Sequence, residues 1–136
     1  MFTSINKNNR KGEMIIMLNQ AVLVGRIVRE PEIKELENGT KVSNITLAVP
    51  RAFKNVETGV YDTDFVDCVL WKGIAESTVE YCKKGDLVGV KGRIQTNTKE
   101  DENGDKKTFM NIVAEKVTFL SSKSKENQEQ EQDYSR

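Results

Sequence analysis

The chain has 136 residues, of which 37% are hydrophobic and 31% charged, and its 21 basic and 21 acidic residues give a formal net charge of zero. That length suits one domain with a tail, and the low apolar share predicts that part of the chain is not packed. Because there is no histidine, a Ser-His-Asp triad, a catalytic Cys-His pair, an H-E-x-x-H zinc helix and a Cys2His2 finger are all excluded.

Composition divides the chain into three segments. Residues 1–16 are rich in Asn without a hydrophobic period, residues 17–120 carry nearly all of the periodic apolar signal, and residues 121–136 are mostly Ser, Lys, Glu and Gln. A segment that buries little apolar surface does not offset the entropy lost on ordering. We therefore expect a disordered N-terminal extension over 1–16, one folded domain over 17–120 and a disordered polar tail over 121–136.

The N-terminal extension raises the question of where translation begins. The codons for Lys11-Gly12-Glu13 can read AAAGGAGAA, which resembles a bacterial ribosome-binding site upstream of Met14 and Met17. We hypothesise that the native start is Met17, and an ordinary disordered extension is the alternative. The extension lacks the apolar centre of a secretory signal, and no apolar run in the chain approaches the ~20 residues of a membrane span. We expect a cytoplasmic, nucleoid-associated protein with no membrane contact and with reduced thiols.

Within the central segment apolar residues recur with a period of 2, which is typical of strands. The predicted strands cover residues 21–28, 42–49, 65–71, 87–94 and 109–120. Asn38-Gly39 predicts a turn before the second strand, and residues 101–105 form the predicted tip of a hairpin between the last two. Asn-Gly supplies the positive φ that such turns need.

Residues 73–82 break this pattern, because Ile74 and Thr78 lie about one helical turn apart. The sequence predicts a short helix with Lys83 and Lys84 in its last turn and Gly85 as its stop signal. Glycines inside three of the predicted strands mark bends or bulges, at Gly25, Gly89 and Gly92.

The order of elements favours an all-β fold: a five-stranded OB-fold barrel with one short helix between strands 3 and 4. A short sheet that must curve closes most easily into a small barrel, which also removes exposed edges. A small sandwich would show similar periods and stays open as an alternative.

Exposed aromatic rings are the first requirement for binding unpaired nucleotides on such a fold. Phe65 and Trp71 lie six residues apart on one predicted strand, so they share a face. The opposite face is apolar, which predicts that both rings point away from the barrel interior. The alternatives are a subunit interface or a helix-packing position.

Cations along the backbone path are the second requirement. Phe53 lies in a predicted polar loop between Arg51 and Lys54, where a base can be held between ring and cations. A plug at one end of the barrel is the alternative. Because the net charge is zero, phosphate binding needs a local patch. The further basic candidates are Arg26, Arg29, Lys34, Lys72, Lys91 and Arg93.

Two other groups of residues have competing interpretations. Asp62, Asp64 and Asp67 resemble a metal cluster of a nuclease, although alternation puts the last two on opposite strand faces, and turn polarity is the ordinary explanation. Cys68 and Cys82 are too few for a structural zinc site, and we interpret them as small hydrophobic residues.

Residues 19–120 resemble the bacterial single-stranded DNA-binding protein family. The resemblance rests on short matching stretches in the family's order, namely 19–26 (NQAVLVGR), 30–34 (EPEIK), 38–39 (NG), 45–49 (ITLAV), 64–71 (DFVDCVLW), 75–76 (AE), 83–85 (KKG), 90–93 (VKGR) and 113–117 (VAEKV).

The resemblance implies a homotetramer that binds single-stranded DNA without sequence preference during replication, recombination and repair. It implies no catalysis, no cofactor and no metal. It implies that bases stack on Phe53, Phe65 and Trp71, with basic residues along the DNA path at Lys34, Arg51, Lys54 and Lys72. A primosome-type OB scaffold protein with weak DNA binding is the alternative within this fold.

The sequence departs from the family's pattern at two places. Lys99 stands where members usually carry another aromatic, and an uncompensated loss of one stacking ring costs about 1–3 kcal/mol. Residues 130–136 (QEQDYSR) lack the acidic Pro-Phe tip that recruits replication and repair proteins in cellular members. Recruitment of those partners is therefore in doubt, and this ending is typical of a phage, plasmid or tail-shortened member.

Overall fold

The computed structural model describes Ser4–Ile5 and residues 16–122. Its elements are β1 (Ser4–Ile5), β2 (Ile16–Met17), β3 (Ala21–Ile27), β4 (Lys34–Glu35), β5 (Lys41–Lys54), β6 (Tyr61–Trp71), α1 (Lys72–Tyr81), β7 (Leu87–Glu100) and β8 (Lys106–Ser121). Strands β1 and β2 pair antiparallel as a small separate sheet. The expected disorder of 1–16 and 121–136 concerns mainly residues outside the described ones, so it stays a prediction, as does the start at Met17.

The other six described strands form one sheet in the order β3-β7-β8-β6-β5-β4. A second pairing of β3, with β5, closes this sheet into a barrel. The five long strands are β3, β5, β6, β7 and β8, and α1 follows the third of them. The predicted OB-fold barrel, with its helix between the third and fourth strands, is confirmed.

Alternate residues of the long strands fill the barrel interior. Leu47 of β5, Cys68 and Leu70 of β6 and Val88 of β7 are fully buried, and Ala75 of α1 packs against the same cluster. The opposite parity of each strand faces outward, as the period of 2 requires. Both cysteines are buried free thiols within this packing, which confirms their interpretation as small hydrophobic residues.

Close approach of strands explains two of the strand glycines. A Cβ at Gly92 would lie 2.2 Å from the Val113 carbonyl oxygen, and one at Gly25 would lie 2.7 Å from the Ala48 carbonyl oxygen. The pairing of β7 with β8 shifts register between Lys91 and Gly92, so the predicted irregularity at Gly92 is confirmed. At Gly25 the chain instead passes close to β5, where the barrel closes.

Four strands are longer than the sequence predicts, and β6 among them begins at Tyr61 instead of Phe65. β5 does not end before Pro50: its pairing with β6 shifts after Pro50 and resumes at Lys54, so Phe53 lies on a strand instead of a loop. β7 and β8 continue as a two-stranded arm to Glu100 and from Lys106. These extensions are exposed on both faces, so they carry no apolar alternation that would reveal them.

The helix also differs from its predicted end. α1 stops at Tyr81, and Cys82 is extended while its N–H donates to the Thr78 carbonyl at 2.9 Å. The prediction that Lys83 and Lys84 lie in the last turn is wrong, because the Asp86 carboxylate accepts the Lys83 N–H at 2.8 Å and fixes a turn there. No helix among the described residues is long and apolar enough to cross a membrane.

Candidate nucleic-acid interface

Strand β6 presents two aromatic rings to the outside of the barrel. Phe65 is 67% exposed and Trp71 is 39% exposed, whereas Cys68 and Leu70 between them are buried. The prediction that both rings point away from the interior is confirmed. We call the side of the sheet that carries Phe65, Asp67, Val69 and Trp71 the outer face.

Strand register extends the outer face toward β4. Residues paired across neighbouring strands share a face of the sheet. Trp71 pairs with Val42 of β5, and Val42 pairs with Lys34 of β4. The Lys34 side chain is therefore placed on the same face as the Trp71 ring, two strands away.

The pairing of β3 with β5, and of β5 with β6, also places Arg26 on the face that carries Phe65. Phe65 pairs with Ala48, and Ala48 pairs with Arg26 where β3 closes the barrel. One guanidinium nitrogen of Arg26, Nη1, donates to the Gly85 carbonyl at 2.9 Å, so this side chain also holds the loop before β7.

The outer face continues from β6 onto β8 through parallel pairing, and from β8 onto β7 through antiparallel pairing. Val69 pairs with Val113 of β8, and Val113 pairs with Arg93 of β7. Arg93 is exposed there, and its Nη1 donates to the Gln95 side-chain oxygen at 3.1 Å. Three predicted basic residues, Arg26, Lys34 and Arg93, therefore surround the two rings on strands that are distant in sequence.

Phe53 and Lys54 lie apart from this set, at the far end of β5 and beyond the register shift. Phe53 is 85% exposed, which does not fit a plug buried in the barrel end. The Lys54 Nζ lies 5.7 Å from the centre of the Tyr61 ring, a cation–π distance. A groove of about 560 Å³ runs beside them, and its lining includes Asn55 and Asp62.

Arg51 is not a free cation. Its Nε lies 3.2 Å from Asp64 Oδ2 and its Nη2 lies 3.0 Å from Asp64 Oδ1, while Nη1 is 4.0 Å from Asp62. This fork raises the pKa of the Arg51 guanidinium and lowers the pKa of the Asp64 carboxyl group, chiefly through their hydrogen bond. The Asp62 and Asp64 carboxylates therefore offset the positive charge of Arg51, which the sequence predicts to contact phosphate.

Lys72 follows Trp71 directly and is the first residue of α1. Its φ is +54°, a left-handed conformation that costs a residue with a side chain roughly 1–2 kcal/mol. Lys72 is exposed and lines a groove with Lys41 and Glu76, which form an ion pair at 3.1 Å.

A polar chain between the two rings was not predicted. Arg29 Nη2 donates to Thr46 Oγ1 at 3.2 Å, and Thr46 Oγ1 donates to Asp67 Oδ1 at 2.8 Å. Alternation in the sequence puts Asp67 on the face of Phe65 and Trp71, but only the β5–β6 register reveals Thr46 opposite it. The Asp67 carboxylate on the outer face thus accepts a hydrogen bond from the Thr46 hydroxyl, which in turn accepts one from the Arg29 guanidinium.

Comparison with known proteins bears directly on this surface. The family model described as "Single-strand binding protein family" matches residues 18–120. The chain belongs to this family.

Similar members are bacterial proteins. The Bacillus subtilis (strain 168) single-stranded DNA-binding protein B is 44% identical over 110 residues, which is 81% of this chain and 96% of that protein. The Halalkalibacterium halodurans single-stranded DNA-binding protein is 44% identical over 112 residues, which is 82% of this chain and 66% of the relative.

A solved structure has the same fold. A Plasmodium falciparum SSB complex with ssDNA matches with a TM-score of 0.67 and 28% identity, covering 77% of this chain and 97% of that one. The single-strand binding family consists of binding proteins and not enzymes, so the chain is not the nuclease considered above.

Each of the three aspartates engages a neighbouring side chain. Asp64 is engaged by Arg51, Asp62 accepts the Asn55 side-chain amide at 3.1 Å, and Asp67 accepts Thr46. Within the described part of the chain no three acidic, histidine or cysteine side chains are placed to hold a metal ion.

Proposed function

We propose that this chain binds single-stranded DNA without sequence preference, by stacking bases on its outer rings and by contacting phosphates with the cations around them. The observation that carries the proposal is the exposure of Phe65 and Trp71 on one face with Arg26, Lys34 and Arg93 in register beside them. Every base has a π-face and every phosphate carries the same charge, so such a surface has no means of reading sequence. The single-stranded DNA named for the relatives and the solved complex supports the same ligand.

The predicted residues contribute unequally to the proposed DNA binding. Phe53, Phe65 and Trp71 stack bases, and exposed lysines at Lys34, Lys54 and Lys72 contact phosphates with Arg93. Arg26 contributes in part, because one of its nitrogens holds the Gly85 carbonyl. Arg51 contributes least, because Asp64 occupies its fork and Asp62 lies near it.

The test is a titration with poly-dT followed by tryptophan fluorescence. Trp71 is the single tryptophan of the chain, so any change in emission reports one site. We expect strong quenching at saturation and an affinity that falls steeply with salt. A faint signal at physiological salt, with binding to protein partners retained, would favour the primosome-type scaffold alternative.

We also propose that the protein assembles as a homotetramer. Strand β3 turns Val22 and Val24 outward, and Val22 is 69% exposed. Leu18 and Leu120 add further exposed aliphatic surface, and Leu120 approaches Gly89, the β7 partner of Val24. Apolar groups exposed together in this way mark interaction surfaces.

The cellular role follows from the ligand. A protein that covers unpaired DNA acts wherever duplex is opened, so we propose participation in replication, recombination and repair. We also propose the cytoplasm, together with the nucleoid, as its location, because this ligand occurs there.

A further inference from the structure

The arm formed by β7 and β8 carries an aromatic ring that the proposed site does not use. Beyond the barrel these strands continue as a ribbon, paired from Gln95 opposite Asn111 to Glu100 opposite Lys106. Its side chains are mainly polar and charged, apart from Phe109 on one face and Met110 on the other. Phe109 is 51% exposed.

Strand register places Phe109 on the outer face. Val113 of β8 pairs with Val69 of β6, and these strands are parallel. Phe109 lies four residues before Val113, and Phe65 lies four residues before Val69, so both rings keep the parity of that pair. Because the strands run in the same direction, the two rings lie toward the same end of the sheet.

The neighbours of Phe109 on this face suit a phosphate backbone. Phe109 pairs with Asn97, and the next pair of the same parity is Lys99 with Lys107. The Lys99 Nζ lies 6.0 Å from the centre of the Phe109 ring. This face of the arm contains no carboxylate between residues 93 and 99 of β7 or between residues 107 and 113 of β8.

The opposite face of the arm differs in chemistry. It carries Met110 opposite Thr96, Thr108 opposite Thr98, and Glu100 opposite Lys106. The Thr98 and Thr108 hydroxyls lie 3.3 Å apart. The face with the aromatic ring is therefore the one that has uncompensated cations, and a ring between cations is the arrangement that holds unpaired nucleotides.

We propose that Phe109 stacks a base of the bound single strand, with Lys99 and Lys107 contacting the adjacent phosphates, so that the DNA path continues from Phe65 along the arm. This inference rests on the proposed function and adds a binding site to it. The bound DNA would follow the outer face from β6 onto the β7–β8 arm.

The experiment compares Phe109→Ala with Met110→Ala, a residue on the same strand with similar exposure but on the opposite face. Affinity for a long oligo-dT is measured by Trp71 quenching, with thermal unfolding and sedimentation as controls for folding and assembly. We expect Phe109→Ala to weaken binding by about 5- to 150-fold, the equivalent of one lost stacking contact, and Met110→Ala to change it less than twofold. Equal affinities of wild type and Phe109→Ala would overturn the inference.

A second variant makes the ring itself the reporter. In a Trp71→Phe background, Phe109→Trp supplies a single tryptophan on the arm, and we expect oligo-dT to quench it. An unquenched arm tryptophan in a protein that binds DNA would overturn the inference while leaving the proposed function intact. A changed sedimentation of Phe109→Ala would assign the ring to a subunit contact and would also overturn it, whereas wild type that fails to bind oligo-dT would overturn the proposed function first.

Discussion

At the scale of single residues, Trp71 combines the properties of a core and a surface residue. It is the least exposed of the three proposed stacking rings and pairs with the buried Val42, so part of the indole is covered by its own domain. A ring held in this way loses little freedom when a base stacks on it. Such preorganisation favours Trp71 as an anchor of the bound strand.

We therefore expect Trp71→Ala to weaken binding to oligo-dT by about 1–3 kcal/mol. The salt dependence should hardly change, because the variant removes no charge. Anisotropy of a labelled oligonucleotide, measured at several salt concentrations, checks both expectations. Normal affinity together with an altered assembly size would instead assign the ring to a subunit interface.

Two substitutions at Lys72 test folding and binding separately, because the backbone of this residue is strained in a left-handed conformation while its side chain is exposed. Lys72→Ala should lower the salt slope of binding by roughly 0.7, as expected for one lost phosphate contact. Lys72→Gly should lower the slope equally and also raise the free energy of unfolding by roughly 1 kcal/mol, because glycine adopts a positive φ without a steric penalty. Urea unfolding of both variants tests this, and identical stabilities would contradict it.

The buried thiol of Cys68 predicts a loss of stability in alkali. Burial, aided by the Asp67 charge, raises the pKa of Cys68 to about 12, whereas the pKa in an unfolded chain is about 8.5. The neutral thiol therefore contributes its full stabilisation below about pH 8.5, and this contribution is lost as the pH rises toward the folded value. Urea midpoints between pH 7 and 9.5 should fall more steeply for wild type than for Cys68→Ala; parallel curves would contradict the expectation.

At the scale of elements, the length of β7 and β8 decides how much surface is available to a ligand. Their pairing continues unbroken from Gly92 to Glu100, although the apolar alternation of β7 stops near Ile94. Lys99, where the family resemblance leads one to expect an aromatic, shares a face with Phe109 on the opposite strand. The ring lost from one strand of the arm is thus matched by a ring on its partner.

The β7–β8 pairing depends on the absence of a side chain at Gly92. We expect Gly92→Ala to destabilise the domain by roughly 1–3 kcal/mol, because its Cβ would overlap the Val113 carbonyl. Gly89→Ala is the matched control: it lies on the same strand, and its nearest neighbour would be Leu120 Cδ1 at an ordinary 3.8 Å. Chemical denaturation of both variants measures the difference in the free energy of unfolding. Equal losses of stability would show that replacing any glycine of this strand is destabilising, and that the overlap with the Val113 carbonyl is not the cause.

At the scale of the whole molecule, the barrel separates two kinds of exposed surface. The outer face carries aromatic rings and cations around β6, whereas on β3 it carries the exposed valines Val22 and Val24 next to Arg26. Unpaired nucleotides suit the first surface and a second copy of the chain suits the second. Binding and assembly can therefore be perturbed independently.

Val24→Glu should shift sedimentation toward lighter species, because a carboxylate on an apolar interface is desolvated without a partner. Val56→Glu serves as the control, since Val56 is fully solvated in the turn between β5 and β6. The two variants should differ in assembly size while both remain folded by circular dichroism. Identical sedimentation of Val24→Glu and wild type would exclude this side of β3 as an interface.

Much of the fold and part of the site can be predicted from the sequence. The alternation over residues 65–71 puts Phe65 and Trp71 on one face and the buried Cys68 and Leu70 on the other, and both assignments hold in the structure. The turn at Gly39 is also as expected, with a φ of +85°. These features depend on residues a few positions apart, and local geometry transmits that information directly.

Only the tertiary structure decided which groups meet. Register between strands distant in sequence determines the engagement of Arg51 by Asp64, the common face of Lys34 and Trp71, and the common face of Phe109 and Phe65. A period of 2 states which face a residue occupies but not which strand lies next to it. That choice is made when the barrel closes, since closure fixes the stagger of every strand against its neighbours.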